Sequence, residues 1–162
     1  GKAANVFGPQ GGLRISAKDL SKIGRLLLGD GEVDGVRLLT PASVRAMIGP
    51  EWSWKDGNGL TLEEDDPIRT RGGFTCRYGL AVQTLASGLP GCGDDPFGDG
   101  VQRVGHSGNA YGLLAGLWVD RKAGTGVVYF STGNDKPEAG EHSVFSRWRR
   151  QVRRGGDAGS SP

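Results

Sequence analysis

With 162 residues and 20 Lys and Arg against 18 Asp and Glu, the chain is sized for one domain with its own core, and its basic excess is too small to argue for nucleic acid. No apolar run approaches the roughly 20 residues that cross a bilayer, and no basic-then-apolar secretion signal stands at the start. Most of the 30 glycines lie singly between apolar runs, which marks turns and close backbone approaches and excludes a low-complexity tract.

The chain opens Gly1-Lys-Ala-Ala-Asn and its sole methionine is Met47, so the expectation is a piece preceded by further polypeptide. Ser16 precedes Ala17 to Leu28, with Asp19 at the capping-box position, and Leu20, Ile23 and Leu27 recur on one face. This predicts a helix with that face buried, stopped by Gly29-Asp-Gly31. Thr40-Pro41 is an N-cap followed by proline at the first helical position and opens a second helix, through Met47 or Ile48, that ends at Gly49-Pro50. From Glu51 to Gly73 periodicity disappears, and the acidic run 63–66 reads as the solvated face of a long surface loop.

Tyr78 to Leu85 alternates as a strand, and 88–100 reads as a loop. Three further strands follow over Val101 to Gly112, Leu113 to Asp120 and Thr125 to Thr132, the last two joined tightly by Arg121 to Gly124, which predicts a meander. Glu141 to Arg154 places Val144, Phe145, Trp148 and Val152 on one helical face, expected to lie on the sheet, and 155–162 reads as a disordered tail. Cys76 and Cys92, with fifteen residues between them, have no partner at metal-ligand spacing, so no metal or cofactor is expected. In an exported protein they would pair and add about 3 kcal/mol by the chain-entropy model; in cytosol both would be thiols.

The stretch that carries chemistry is Gly105-His106-Ser107-Gly108-Asn109, a polar run between β-rich segments. One reading makes it a near match to the Gly-x-Ser-x-Gly elbow of α/β-hydrolases, with Ser107 as nucleophile and Asp135 and His142 following in order. Asn109 stands where the last glycine belongs, and the residues after it look like strand, where the elbow needs a helix. A second reading pairs His106 with Ser107 as base and nucleophile, but neighbours on an extended chain point to opposite faces. The third makes the triplet a substrate-binding strand whose nucleophile lies elsewhere, and it fits the flanking pattern best.

Taken in order, Gly11-Gly-Leu-Arg-Ile-Ser-Ala-Lys-Asp-Leu, Leu38-Leu-Thr-Pro-Ala-Ser-Val-Arg-Ala-Met, Tyr78-Gly-Leu, Gly105-His-Ser-Gly, Tyr111-Gly and Leu117-Trp-Val-Asp resemble the C-terminal half of the serine β-lactamase-related family. That family includes class C β-lactamases, D-alanyl-D-alanine carboxypeptidases and related esterases. Its Lys-Thr-Gly or His-Thr-Gly triplet lines the active site on a strand, where His106-Ser107-Gly108 stands. The resemblance implies that Ser107 hydrogen-bonds the substrate carboxylate or carbonyl, that His106 takes the cationic or hydrogen-bonding role, and that the Asn109 amide is an oxyanion donor. Gly108 and Tyr111 would bind substrate. A histidine in place of lysine makes that charge pH-dependent, which favours peptidase or esterase activity over β-lactam hydrolysis. The family's Ser-x-x-Lys and Tyr-x-Asn motifs are absent: no Ser precedes a Lys by three, and neither Tyr78, Tyr111 nor Tyr129 precedes an Asn by two.

The expectation is thus an α+β chain: two N-terminal helices, an antiparallel sheet of about four strands with a C-terminal helix packed on it, and part of a β-lactamase/transpeptidase-like fold. Residues 1–154 would be the C-terminal portion of a periplasmic or secreted hydrolase domain that takes a small-molecule or peptide substrate and needs the N-terminal part of the same protein. The alternative is a ligand- or peptidoglycan-binding remnant without catalysis. Trp118, Trp148, Phe130 and Tyr111 are expected in the core.

Overall fold

The computed structural model describes residues 12–55, 58, 73–110 and 112–133. Helix α1 (Ala17–Leu28) begins as the capping box predicts: the Ser16 hydroxyl accepts from the Asp19 amide at 3.0 Å and donates to the Asp19 carboxylate at 2.7 Å. A two-stranded hairpin follows, β1 (Glu32–Val33) and β2 (Val36–Arg37), turning on Asp34 and Gly35, both at positive φ as a two-residue hairpin loop of this kind requires. Helix α2 (Pro41–Ile48) is capped by Thr40, whose hydroxyl accepts from the Ser43 amide.

The remaining strands form one antiparallel meander in chain order: β3 (Trp52–Ser53), β4 (Arg77–Tyr78), β5 (Gln83–Leu85), β6 (Arg103–Ala110), β7 (Leu113–Asp120) and β8 (Thr125–Ser131). The expected α+β layout with a four-stranded sheet is therefore wrong. Among the described residues the chain is mostly β, with six strands in the main sheet, two in the hairpin, and two helices. The extra strands have local causes. The run Tyr78 to Leu85 folds back on itself: the Gly79 amide donates to the Val82 carbonyl at 2.8 Å and Ala81 sits at φ 59. Gly79 is held where a Cβ would lie 2.2 Å from the Met47 carbonyl oxygen, so α2 sets the bend. Trp52–Ser53 then adds an edge strand to Arg77–Tyr78. The expected helix over Glu141 to Arg154, Trp148, and the tail lie outside the described residues.

The sheet separates two cores. On one face Val82, Val104 and Val119 pack with Leu27 of α1 and Val44 of α2. Gly24 of α1 touches Leu117 and Val119 so closely that a Cβ would stand 3.0 Å from the Leu117 side chain. The helix therefore meets the sheet along Gly24 and Leu27, and Ile23, expected on the buried stripe, is 44% exposed. On the other face Phe74, Leu85, Phe97, Trp118 and Tyr129 cluster, with Phe74 and Trp118 edge to face at 6.0 Å. Trp118 is a core residue as expected, whereas Phe130 is 38% exposed because it alternates outward from the buried Tyr129.

Cys76 and Cys92 form a disulfide that ties the segment after β5 to β4. In that segment Asp94 is buried, accepting from the Ser87 amide at 3.0 Å, and burial raises its carboxyl above the usual range against the pull of that hydrogen bond.

Three outcomes are expected. Leu27→Ala costs about 2 to 5 kcal/mol in urea unfolding while Ile23→Ala costs under about 1, because only the first removes buried contacts. Reducing the disulfide, or replacing both cysteines by serine, lowers stability by about 3 kcal/mol. The folded state holds the Asp94 proton more tightly than the unfolded one, so stability falls as pH rises from the ordinary aspartate range through the raised native value; Asp94→Asn removes this decline, read from urea midpoints across acidic pH.

Candidate functional site at the unpaired edge of β6

Strand β6 pairs with β7 along its length, from Val104↔Val119 to Ala110↔Leu113, but its ladder with β5 stops at Gln83↔Gly105. Among the described residues, His106 to Asn109 thus have no strand on their β5 side. The Gln83 side chain extends the ladder by one step: its Oε1 accepts from the Ser107 amide at 3.2 Å and from the Ser107 hydroxyl at 3.3 Å, while its Nε2 donates to the Thr75 hydroxyl at 2.9 Å. Because the Ser107 amide points away from β7, alternation directs the Asn109 amide to the same open edge.

His106 and Ser107 point to opposite faces, as their adjacency predicts. His106 is in register with Leu117, on the face packed by α1, and Ser107 with Gly116, which lies under the Tyr129 ring of the second core. They do not form a base–nucleophile pair. His106 is exposed and Ser107 half-buried. The His106 Nε2 lies 2.8 Å from the Tyr78 hydroxyl, with the two rings edge to face, and its Nδ1 lies against the Ser107 carbonyl oxygen. A carbonyl only accepts, so Nδ1 carries a proton.

Gly108 is not required by the packing: a Cβ there would meet only Ala115, at an ordinary 3.7 Å. The glycine leaves that face of the strand open. Ser107 sits in mid-strand, with strand on both sides, and not at the strand-to-helix turn an elbow needs. Tyr111, Asp135 and His142 lie outside the described residues. Among the described residues no cluster of His, Cys, Asp or Glu could hold a metal ion. No described helix is long and apolar enough to cross a membrane.

Sequence reasoning gave no role to Tyr78 or Gln83, the two side chains that hold the triplet. Tyr78 stood in the recognised Tyr-Gly-Leu segment, and Gln83 was a polar residue within an otherwise apolar alternation, the one signal that could have drawn attention to it.

No family model matches the chain, and no solved structure matches it. Over 37 residues, 23% of this chain, it is 60% identical to two proteins of Mycobacterium tuberculosis: Protein Rv1367c of strain H37Rv and Uncharacterized protein MT1414 of strain CDC 1551 / Oshkosh. The matched stretch spans only 9% of either relative's length, and neither name states an activity.

Proposed function

We propose that this chain supplies the substrate-binding wall of an acyl-serine hydrolase of the β-lactamase-related type, acting as an esterase or peptidase. The observation that carries the reading is the edge of β6, where a polar triplet and the Asn109 amide stand beside each other with no strand over them among the described residues. In such a cleft a serine oxygen attacks the substrate carbonyl, charge develops on the carbonyl oxygen, and the Asn109 N–H donates to it. One such donor is typically worth about 3 to 4 kcal/mol of barrier. The Ser107 hydroxyl, held by Gln83 through a long 3.3 Å bond, turns to the acyl group as the substrate enters. The leaving group departs with a proton, and water then releases the acyl group from the serine.

The attacking serine and its base are assigned to polypeptide outside these 162 residues, since neither family motif occurs in them. A disulfide, and the lack of any membrane-crossing helix among the described residues, are compatible with an exported protein, and the proposed compartment is the periplasm or beyond.

The test is Asn109→Pro in the full-length protein. Proline deletes the one N–H that would face the oxyanion, and at an unpaired edge it costs no ladder bond. Hydrolysis of a chromogenic ester should fall about 100- to 1000-fold with the circular dichroism spectrum unchanged, and the 162-residue chain alone should show no turnover. Full activity in Asn109→Pro removes the oxyanion role. Absence of both turnover and labelling by a fluorescent phosphonate in the full-length protein replaces the hydrolase with a ligand-binding remnant.

A further inference from the structure

Two hydrogen-bonded supports reach the triplet, and both start in one short stretch of chain. The Thr75 hydroxyl accepts from Gln83 Nε2 at 2.9 Å, and Gln83 in turn holds the Ser107 amide and hydroxyl. The Tyr78 hydroxyl stands 2.8 Å from His106 Nε2. Cys76 lies between Thr75 and Tyr78, is fully buried, and is bridged to Cys92. A covalent anchor thus sits at the point from which both supports depart.

The two ends of the bridge differ in what else holds them. On the Cys92 side the Asp94 carboxylate accepts from the Ser87 amide, Asp95 accepts from the amides of Gly98 and Gly100, and Asp99 pairs with Arg103 through two bonds of 3.0 Å. Phe97 enters the second core from the same loop. On the Cys76 side β4 is two residues long, pairs with β5 only at Tyr78↔Gln83, and has as its other neighbour the two-residue β3. Opening the bridge would leave the loop fastened and loosen β4. Phe74, two residues before Cys76, stays in the second core, so the loosening is local to 75–78 and the sheet persists.

We propose, resting on the hydrolase reading, that the Cys76–Cys92 bridge is a redox gate on the β6 edge. Closed, it holds Thr75 and Tyr78 against the triplet; opened by a dithiol, it releases them and turns the site down. Cys92 is half-buried beside the exposed Gly91 whereas Cys76 is buried, so one thiolate of the dithiol attacks Cys92 Sγ. The S–S bond breaks and Cys76 leaves as a thiolate that takes a proton. The second thiolate of the reductant then displaces Cys92, so the dithiol ends as a disulfide and two electrons and two protons end on the cysteines. The Gly73 carbonyl oxygen, 3.1 Å from Cys76 Sγ, is placed to accept from the new thiol and satisfy it in its buried position.

The test uses the full-length protein, oxidised and after treatment with dithiothreitol, with iodoacetamide labelling and mass spectrometry of the Cys76 and Cys92 peptides to read the bridge. Reduction should lower kcat/KM for a chromogenic ester by on the order of 10-fold with the circular dichroism spectrum unchanged, and reoxidation should restore it. The double variant Cys76→Ser with Cys92→Ser should start at the low rate and not respond to dithiothreitol. Nitrogen NMR gives a second readout: the His106 imidazole signals, assigned as those missing from His106→Gln, should shift on reduction as Tyr78 leaves. A bridge that dithiothreitol opens without a change in rate, or one that stays closed until urea unfolds the chain, overturns the gate while the hydrolase reading stands. So does a loss that dithiothreitol still causes in the double variant. No turnover in either state overturns the hydrolase reading; the NMR comparison then decides whether the bridge holds the edge, and unshifted His106 signals overturn that as well.

Discussion

The short β5 is the constraint on which the candidate site depends. Its ladder with β6 holds only from Leu85↔Arg103 to Gln83↔Gly105, because the chain bends away at Gly79 to Val82. The bend is imposed from outside the sheet: the Met47 carbonyl at the end of α2 accepts from Leu80 and leaves room only for a glycine at position 79. A backbone edge without a partner strand has amides to satisfy, and Gln83 does this with its side chain for Ser107. Two residues further on, Asn109 faces the same way with no such substitute among the described residues.

The rest of the fold keeps that edge in place. The two cores press on opposite faces of β6 and β7, so the strand cannot rotate to exchange His106 and Ser107 between faces without burying one in apolar surroundings and exposing Val104. The disulfide joins β4, and through it Tyr78, to the segment that carries Phe97 into the second core. Arg121 at the β7–β8 turn pairs with Asp30 at the end of α1, and Arg25 pairs with Asp34 of the β1–β2 hairpin. These largely exposed ion pairs add little energy.

The electrostatic character of the site follows from its partners. The triplet is held by a phenol, an amide and a hydroxyl, all uncharged. At an edge of this make-up neutral groups meet neutral groups, and a mismatched donor or acceptor leaves a polar atom unpaired when water is excluded. That separates the candidate site from one organised around a lysine, where charge would dominate.

Local signals in the sequence determined α1, α2 and the last three strands of the meander. Ser16 with Asp19, and Thr40 with Pro41, mark helix starts through hydrogen bonds three residues long, and α1 and α2 begin where those residues stand. The turn from Asp120 to Gly124 and the strands β7 and β8 were legible for the same reason, as was the opposition of His106 and Ser107. Asp34-Gly35 is an equally local hairpin signal, and β1 and β2 turn on it. The tertiary structure alone decided that Tyr78 to Leu85 is two strands, that Ile23 is outside, and that Tyr78 and Gln83 hold the triplet. Each of these depends on a contact between residues far apart in the chain: Gly79 with Met47, Gly24 with Leu117, Tyr78 with His106, Gln83 with Ser107. Alternation and capping report only what a residue does within a few positions, and they carry no term for which distant backbone occupies the space beside it.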